Sequence, residues 1–121
     1  MILINSAPKD TLKAFQPFLP IYAPVGVGYL LAFAEQEKIK ARFIDEQVEG
    51  DILGKVAEYI KDMRKPYIFG FSVLTLAFKR AILLSRELRR IYPDSVIIFG
   101  GIHPTALPEE VLQRTKADVI V

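Results

Sequence analysis

The sequence predicts an α/β fold in which helices cover both faces of a five-stranded parallel sheet. Short apolar runs rich in Ile, Val and Phe recur along the chain without alternating with polar residues. Such runs are typical of parallel strands that are buried on both faces. Segments with the apolar spacing of helices separate them, and this alternation produces parallel sheets with right-handed crossovers.

Each predicted element follows from a local pattern. The apolar runs predict strands at residues 2–4, 42–45, 67–73, 96–99 and 118–121. Apolar stripes predict a first helix at Val27, Leu30, Leu31 and Ala34, a second at Ile52, Leu53, Val56, Ala57 and Ile60, and a third at Ala77, Ala81, Leu84, Leu88 and Ile91. Asp51 is placed to cap the second helix. Pro108, followed by Glu109 and Glu110, predicts the start of a short fourth helix, with Val111 and Leu112 facing inward. This order favours a flavodoxin-like (Rossmann-like) doubly wound sheet with strand order 2-1-3-4-5.

Length and composition exclude several classes of protein. A chain of 121 residues predicts one domain, and 51% hydrophobic residues with 25% charged residues predict an ordered core. The net charge of +2 and the lack of a long basic run argue against a nucleic-acid partner. Without cysteine, this chain alone cannot form a disulfide, a zinc–thiolate site or an iron–sulfur cluster, which fits a cytoplasmic protein. No apolar run has the length of a membrane span, and the start MILIN lacks the features of a signal peptide.

Ligands of open parallel sheets bind outside the carboxyl ends of the strands. The residues expected at these ends are mainly small, hydroxylated or carboxylate-bearing, and they include the only histidine, His103. They contain no obvious nucleophile paired with a base, so a catalytic triad is not favoured and no catalytic or metal-ligating residue is assigned. The set indicates a surface for a large ligand. The connection at residues 5–24 is unusually long for a compact domain, and connections of this length are usually functional or disordered.

The run SVIIFGGIHPTALPEE has several explanations. Gly100 and Gly101 could form a simple turn or could leave room for a ligand near the backbone. Ser72 could cap the following helix, His103 could be a hydrogen-bonded loop residue, and Asp45 could be a solvated carboxylate at a strand end. A dinucleotide site at Gly26-x-Gly28, with Asp45 holding a ribose, is a weaker alternative because that glycine pair does not directly follow a strand.

The sequence resembles the N-terminal cobalamin-binding domain of radical S-adenosylmethionine (SAM) enzymes over nearly its whole length. Five pieces occur in the order of that family: ILINSAP, PVGVGYLLAFAEQ, ARFID, GFSVLTLAF and GGIHPTALPEEVL. The last is the most specific. The resemblance implies cobalamin as the cofactor, with its nucleotide tail in a slot lined by the strand-three Ser-x-Leu pair and the strand-four diglycine. The cofactor-binding residues it implies are Asn5, Ser6, Pro24, Ser72, Val73, Leu74, Thr75, Gly100, Gly101, His103, Pro104 and Thr105.

The physical properties of these residues agree with the implied slot. Gly100 and Gly101 would leave space for a dimethylbenzimidazole tail, and Ser72 could hydrogen-bond its ring nitrogen. We expect the slot to be an open groove between the third and fourth strands. The wider cobalamin-binding fold carries Asp-x-His-x-x-Gly after strand one, where this chain has no histidine. Cobalamin is therefore expected to bind without an imidazole ligand from the protein. The run DEQVEG places Gln47 at the histidine's spacing, but it follows strand two and is interpreted as a coincidence.

The resemblance also implies a larger parent enzyme. Residues 1–121 are expected to be a cobalamin-binding domain that precedes a radical SAM barrel, and the parent would transfer methyl groups or close rings. SAM and a [4Fe-4S] cluster are expected only in that further part, so residues 1–121 alone are not expected to be catalytic. Two alternatives remain. One is a ligand-free scaffold of the same fold, whose slot would be filled by side chains such as Phe78 or Phe99 and whose loop 5–24 would fold over the sheet. The other is a nucleotide-binding oxidoreductase domain.

Overall fold

The computed structural model, which describes residues 1–9, 13–18 and 20–121, contains a five-stranded, fully parallel sheet. The strand order is β2-β1-β3-β4-β5. Both the fold class and the strand order predicted from the sequence are confirmed. The strands are β1 (Ile2–Asn5), β2 (Arg42–Asp45), β3 (Ile68–Ser72), β4 (Val96–Gly100) and β5 (Val119–Ile120).

The predicted helices are present, together with one that the sequence did not predict. The helices are α1 (Val25–Gln36), α2 (Ile52–Tyr59), α3 (Phe78–Ile91), α4 (Ile102–Ala106) and α5 (Pro108–Arg114), with 3-10 helices at Lys13–Phe18, Ile60–Asp62 and Thr75–Ala77. The unpredicted helix, α4, is a single short turn. The backbone amide and the hydroxyl of Thr105 both donate to the carbonyl oxygen of Gly101, at 3.1 and 2.8 Å.

The long first connection, residues 5–24, contains the 3-10 helix Lys13–Phe18. Residues 10–12 and 19 of this connection lie outside the described residues.

The main hydrophobic core lies on one face of the sheet. Register partners of parallel strands share a face, and side chains alternate between faces along each strand. The strand residues of the core are Ile2, Ile4, Ile44, Phe69, Phe71, Ile97 and Phe99. They form one cluster with side chains of α2, α3 and α5, such as Val56, Leu88 and Val111. This face is closed over the length of the sheet.

Helix α1 lies on the opposite face. The β1–β2 crossover moves one way along the sheet and the three later crossovers move the other way, so right-handed crossovers place α1 opposite α2, α3 and α5. Its buried residues Val27 and Ala34 lie outside the main core cluster. The predicted inward position of Leu30 is wrong: the side chain is 55% exposed, because α1 is apolar on nearly all sides and its sequence does not mark which side faces the sheet.

Among the described residues, no helix combines the length and the hydropathy that crossing a membrane requires.

Candidate functional site

Four residues form a row across the carboxyl edge of the sheet. Strand pairing aligns Asp45 with Asn5, Asn5 with Ser72, and Ser72 with Gly100. These residues share the α1 face, opposite the main core. The sequence analysis predicted three of them, Asn5, Ser72 and Gly100, as cofactor-binding residues, and the structure places those three side by side.

Small residues at the ends of β3 and β4 leave part of the α1 face uncovered. We call the surface formed by Ser72, Ile98 and Gly100 the α1-side trough; Gly70, on the same face, is buried, and the Leu3 side chain lies 2.8 Å from where its Cβ would be. Ser72, Ile98 and Gly100 are half-buried, whereas the residues facing the core from the same strands are fully buried. In β5, Val119 pairs with Ile98 on this face and is 45% exposed. Because parallel sheets are ordinarily covered on both faces, an open apolar surface here indicates a place where something else binds.

The hydroxyl of Ser72 is available to a ligand. The two helical segments that follow β3, Thr75–Ala77 and α3, have no side-chain cap, so Ser72 does not have the capping role considered from the sequence. Its Oγ makes no hydrogen bond with any described residue. Leu74 and Thr75, which follow, are exposed at the same edge. A half-buried hydroxyl without a partner at the end of the trough can donate to an acceptor such as a ring nitrogen.

The two glycines at the carboxyl end of β4 are there for different structural reasons. Gly101 has φ +103°, and a Cβ there would lie 2.9 Å from the backbone nitrogen of Val73, so the local fold requires glycine. A Cβ on Gly100 would meet Val121 at 3.8–3.9 Å, an ordinary contact. The fold therefore does not demand glycine at 100. Only Gly100 retains the interpretation that a missing side chain leaves room for a ligand.

The predicted open groove between β3 and β4 is wrong. The amide of Val73 donates to the Gly100 carbonyl at 2.9 Å, and the amide of His103 donates to the Val73 carbonyl at 3.2 Å. These bonds extend the pairing beyond the strand ends and hold them together, because unpaired backbone groups in a buried position are unfavourable. The open space lies over the α1 face of the strands instead of between them.

Val73, His103 and Pro104 are buried at the core side of this edge. The ring centroid of His103 lies 4.1 Å from that of Phe78, and its Nδ1 lies 3.3 Å from Thr75 Oγ1. Its Nε2 is buried and has no hydrogen-bond partner in the described part of the chain. The structure thus separates these three predicted site residues from the row that contains Ser72 and Gly100. Thr105 is exposed, and its hydroxyl donates to the carbonyl of Gly101, the residue before α4.

The first connection is tied to the end of β2. Asn5 Nδ2 donates to Asp45 Oδ1 at 3.0 Å, so Asp45 is buried and paired and is not the solvated carboxylate considered from the sequence. This pairing also engages the carboxylate that a ribose would need. Ser6 is buried, and its Oγ has no hydrogen-bond partner among the described residues. Pro24, the remaining predicted site residue, is half-buried directly before α1.

Sequence reasoning missed the roles of Glu46 and Gln47. The Glu46 carboxylate is fully buried and accepts from Arg80 at 2.8 Å and from the backbone amide of Ala7 at 3.0 Å. Gln47 bonds to both backbone groups of Tyr22, each at 3.0 Å. The only available signal was the position of these polar residues directly after a buried strand, and it did not specify partners so distant in sequence.

Comparison with known families gives the ligand class. Residues 17–121, most of the chain, match the family model of the B12 binding domain. The chain belongs to the B12-binding domain family. This confirms the family inferred from the sequence resemblance, and the five-stranded sheet of the B12-binding domain is the flavodoxin-like one expected.

One curated relative extends the comparison. The domain is 26% identical over 98 residues to the cobalamin-dependent radical SAM methyltransferase TokK of Streptomyces tokunonensis. The match covers 81% of this chain and 14% of that enzyme, so the chain spans about one seventh of the length of its relative. No solved structure matches the chain.

The residues of the α1-side trough fit cobalamin's nucleotide tail. The tail ends in a flat aromatic base with a ring nitrogen, which requires a shallow apolar surface and one hydrogen-bond donor. Ile98 and Gly100 provide the surface, and the Ser72 hydroxyl, which is unpaired among the described residues, provides the donor. No cluster of three or more metal-ligating side chains was found in the described part of the chain. The fit therefore concerns the organic part of the cofactor.

Proposed function

We propose that this B12-binding domain holds cobalamin with its nucleotide tail along the α1-side trough, on the face opposite the main core. The observation that carries the proposal is the pairing of Ser72 with Gly100: Ser72 offers a hydroxyl that no described residue bonds, and Gly100 offers a surface without a side chain. Asn5 and Ser6 lie at the same edge, at the start of the first connection. Leu74 and Thr75 follow Ser72 there.

The residues of the domain bind and orient the cofactor. Ser72 would donate to the base nitrogen, which fixes the direction of the tail, and Ile98 with Gly100 would pack against the face of the base. Burial of the base against this surface is favourable by about 25 cal/mol per Å² of apolar area removed from water. Cobalamin, when bound, supplies a cobalt centre that can carry a methyl group.

The proposed parent is a larger radical SAM enzyme that transfers methyl groups. The support is the resemblance to a methyltransferase of which this domain matches 14%. The parent's SAM and [4Fe-4S] cluster would lie in its other domains, since this chain contains no cysteine, and the cytoplasm remains the proposed compartment. Ring closure, the other reaction considered from the sequence, has no supporting relative here. A three-cysteine motif in the natural gene product beyond residue 121, with iron in the purified protein, would support this parent; a gene product without such a motif would contradict it.

The scaffold alternative required bulky side chains in the slot and a loop 5–24 folded over the sheet; residues 10–12 and 19 of that loop lie outside the described residues. Phe78 and Phe99 are buried, but they belong to the core cluster on the other face of the sheet, where Phe99 stacks on Phe71 with ring centroids 4.7 Å apart. They do not occupy the α1-side trough. The geometry therefore favours a ligand site over a filled scaffold.

Titration with hydroxocobalamin tests the proposal. Ser72→Ala removes the proposed donor and is expected to weaken binding about three- to tenfold, the effect of one hydrogen bond. Gly100→Val adds bulk inside the trough and is expected to weaken binding further. The matched control is Ser95→Ala, which removes a buried hydroxyl without a partner at the other end of the strands. Visible absorption of protein-bound corrin after gel filtration gives the dissociation constant.

Circular dichroism must show that each variant keeps its fold. Equal affinity of the wild-type, Ser72→Ala and Gly100→Val proteins would overturn the location of the site. Absence of corrin from the folded wild-type protein at every concentration would overturn the proposed function itself.

A further inference from the structure

Three consecutive residues at the end of β2 hold both ends of the connection between β1 and α1. We call Asp45, Glu46 and Gln47 the β2 clamp. At the near end of the connection, next to β1, Asp45 binds the side chain of Asn5, and the amide of Glu46 donates to the Asn5 carbonyl at 3.0 Å. At the far end of the connection, next to α1, Gln47 binds the backbone of Tyr22. The clamp thus connects the strand that begins the connection to the segment that ends it.

The near end also depends on a buried charge. Glu46 is 1% exposed; its carboxylate accepts from the amide of Ala7, pairs with Arg80 of α3 at 2.8 Å and lies 3.8 Å from the Lys9 ammonium. A buried carboxylate is stable only when it is paired and hydrogen-bonded, and this one is. Glu46 therefore fixes the first residues after β1 relative to α3.

At the far end, both the oxygen and the nitrogen of the Gln47 side-chain amide form hydrogen bonds. Its Oε1 accepts from the Tyr22 amide and its Nε2 donates to the Tyr22 carbonyl, both at 3.0 Å. The same Nε2 lies 3.2 and 3.3 Å from the two carboxylate oxygens of Asp45, and the Gln47 amide donates to Asp45 Oδ1 at 3.0 Å. A neutral amide is required here, because the side chain must donate to one group and accept from another.

Helix α1 has little else to hold its amino end. Pro24, the residue before the helix, makes no capping hydrogen bond with a side chain. The first turn of α1 contains no acidic residue to interact with the helix dipole. Only Val27 and Ala34 are fully buried along its twelve residues. The bond between Gln47 and Tyr22 lies two residues before Pro24. It is therefore a principal anchor of the amino end of α1 among the described residues.

We propose that Gln47 is a positioning residue for the cofactor: by anchoring Tyr22, it fixes the amino end of α1, the helix on the face that contains the α1-side trough. This inference rests on the proposed function, because it assigns a residue to the same cobalamin site. Gln47 does not need to touch the cofactor.

The test compares Gln47→Glu with Gln113→Glu. Gln47→Glu keeps the size of the side chain but puts a negative charge against Asp45 and the Tyr22 carbonyl, so that a donated hydrogen bond becomes a repulsion. Gln113 is exposed on α5, far along the chain from the first connection, and serves as the matched control for charge. Gln47→Ala removes the same hydrogen bonds without adding charge and is the second variant.

Two measurements distinguish positioning from a general loss of stability. Hydroxocobalamin titration is expected to show about tenfold weaker binding for Gln47→Glu, at least threefold for Gln47→Ala, and no change for Gln113→Glu. Amide hydrogen exchange without cofactor is expected to be faster at residues 20–28 in the Gln47 variants, while β3 and β4 keep their protection.

The outcomes separate this inference from the proposed function. If the wild-type protein and both Gln47 variants bind hydroxocobalamin equally tightly, the positioning role is overturned and the proposed function still stands. Weaker binding accompanied by equally faster exchange throughout the sheet would also overturn it, since the effect would then be global instability. A wild-type protein that never binds corrin would remove the proposed function, and this inference with it.

Discussion

At the residue scale, Gly101 shows how the backbone can require a particular amino acid without any ligand. Its φ of +103° lies where side chains are disfavoured, and the Val73 backbone nitrogen and oxygen would lie 2.9 and 3.0 Å from a Cβ. Its carbonyl also accepts both bonds from Thr105 that start α4. The turn after β4 and the short helix therefore depend on this glycine.

Gly101→Ala is expected to lower the free energy of unfolding by about 2 kcal/mol or more, because the alanine is strained at this φ and its Cβ collides with backbone that cannot easily move. Gly100→Ala is the control, and a change within about 0.5 kcal/mol is expected because its Cβ makes an ordinary contact. Urea unfolding followed by circular dichroism measures both. Similar stability of the two variants would contradict this account of Gly101.

The site residues show how far residue patterns alone can lead. The ends of the apolar runs correctly indicated that Asn5, Ser72 and Gly100 lie at one edge, because strands of a parallel sheet end together. The runs do not alternate with polar residues, so they contain no information about which face each side chain occupies. The separation of Ser72 from His103 therefore required the structure.

At the element scale, α2 is the helix whose start the sequence predicted most directly. Asp51 Oδ1 accepts from the amide of Gly54 at 2.9 Å, which confirms the predicted cap. Helix α4 was missed because its five residues are too few for apolar periodicity and include Pro104. The bounds of α1 followed from its apolar residues, but its orientation did not, since Leu30 and Phe33 are exposed.

Asp51→Ala is expected to reduce the free energy of unfolding by about 1 kcal/mol, the typical effect of losing a side-chain cap at a helix start. Asp51→Asn should retain most of the stability, because asparagine caps helices about as well as aspartate. Chemical denaturation of the three proteins at neutral pH gives the comparison. If asparagine destabilised as much as alanine, the contribution would come from the charge of Asp51 and not from its hydrogen bond.

At the scale of the whole molecule, the two faces of the sheet differ in how completely they are covered. Residues of α2, α3 and α5 close one face over a continuous core, whereas α1 is the helix on the other face, where Ile98 and Val119 remain partly exposed. The strand order follows from the alternation of strands and helices and was predictable. The uneven coverage was not, because every strand sequence is apolar enough to be covered on both faces.

Uneven coverage leads to a prediction about stability. A ligand that binds only the folded state stabilises it by mass action, by about 2.7 kcal/mol at a free concentration 100 times its dissociation constant. For a domain of this size, hydroxocobalamin at that concentration is therefore expected to raise the Tm by about 10 °C. Differential scanning calorimetry measures the shift.

Cobinamide, a corrin without the nucleotide tail, is the informative comparison for this whole-molecule effect. If the tail covers the open surface at Ser72, Ile98 and Gly100, cobinamide at the same concentration should raise the Tm much less, because it leaves that surface exposed to water. In Gly100→Val, the shift with hydroxocobalamin should fall toward the cobinamide value. Equal shifts with both corrins in the wild-type protein would mean that the tail contributes nothing to binding, and the α1 face would then have to be covered by protein instead.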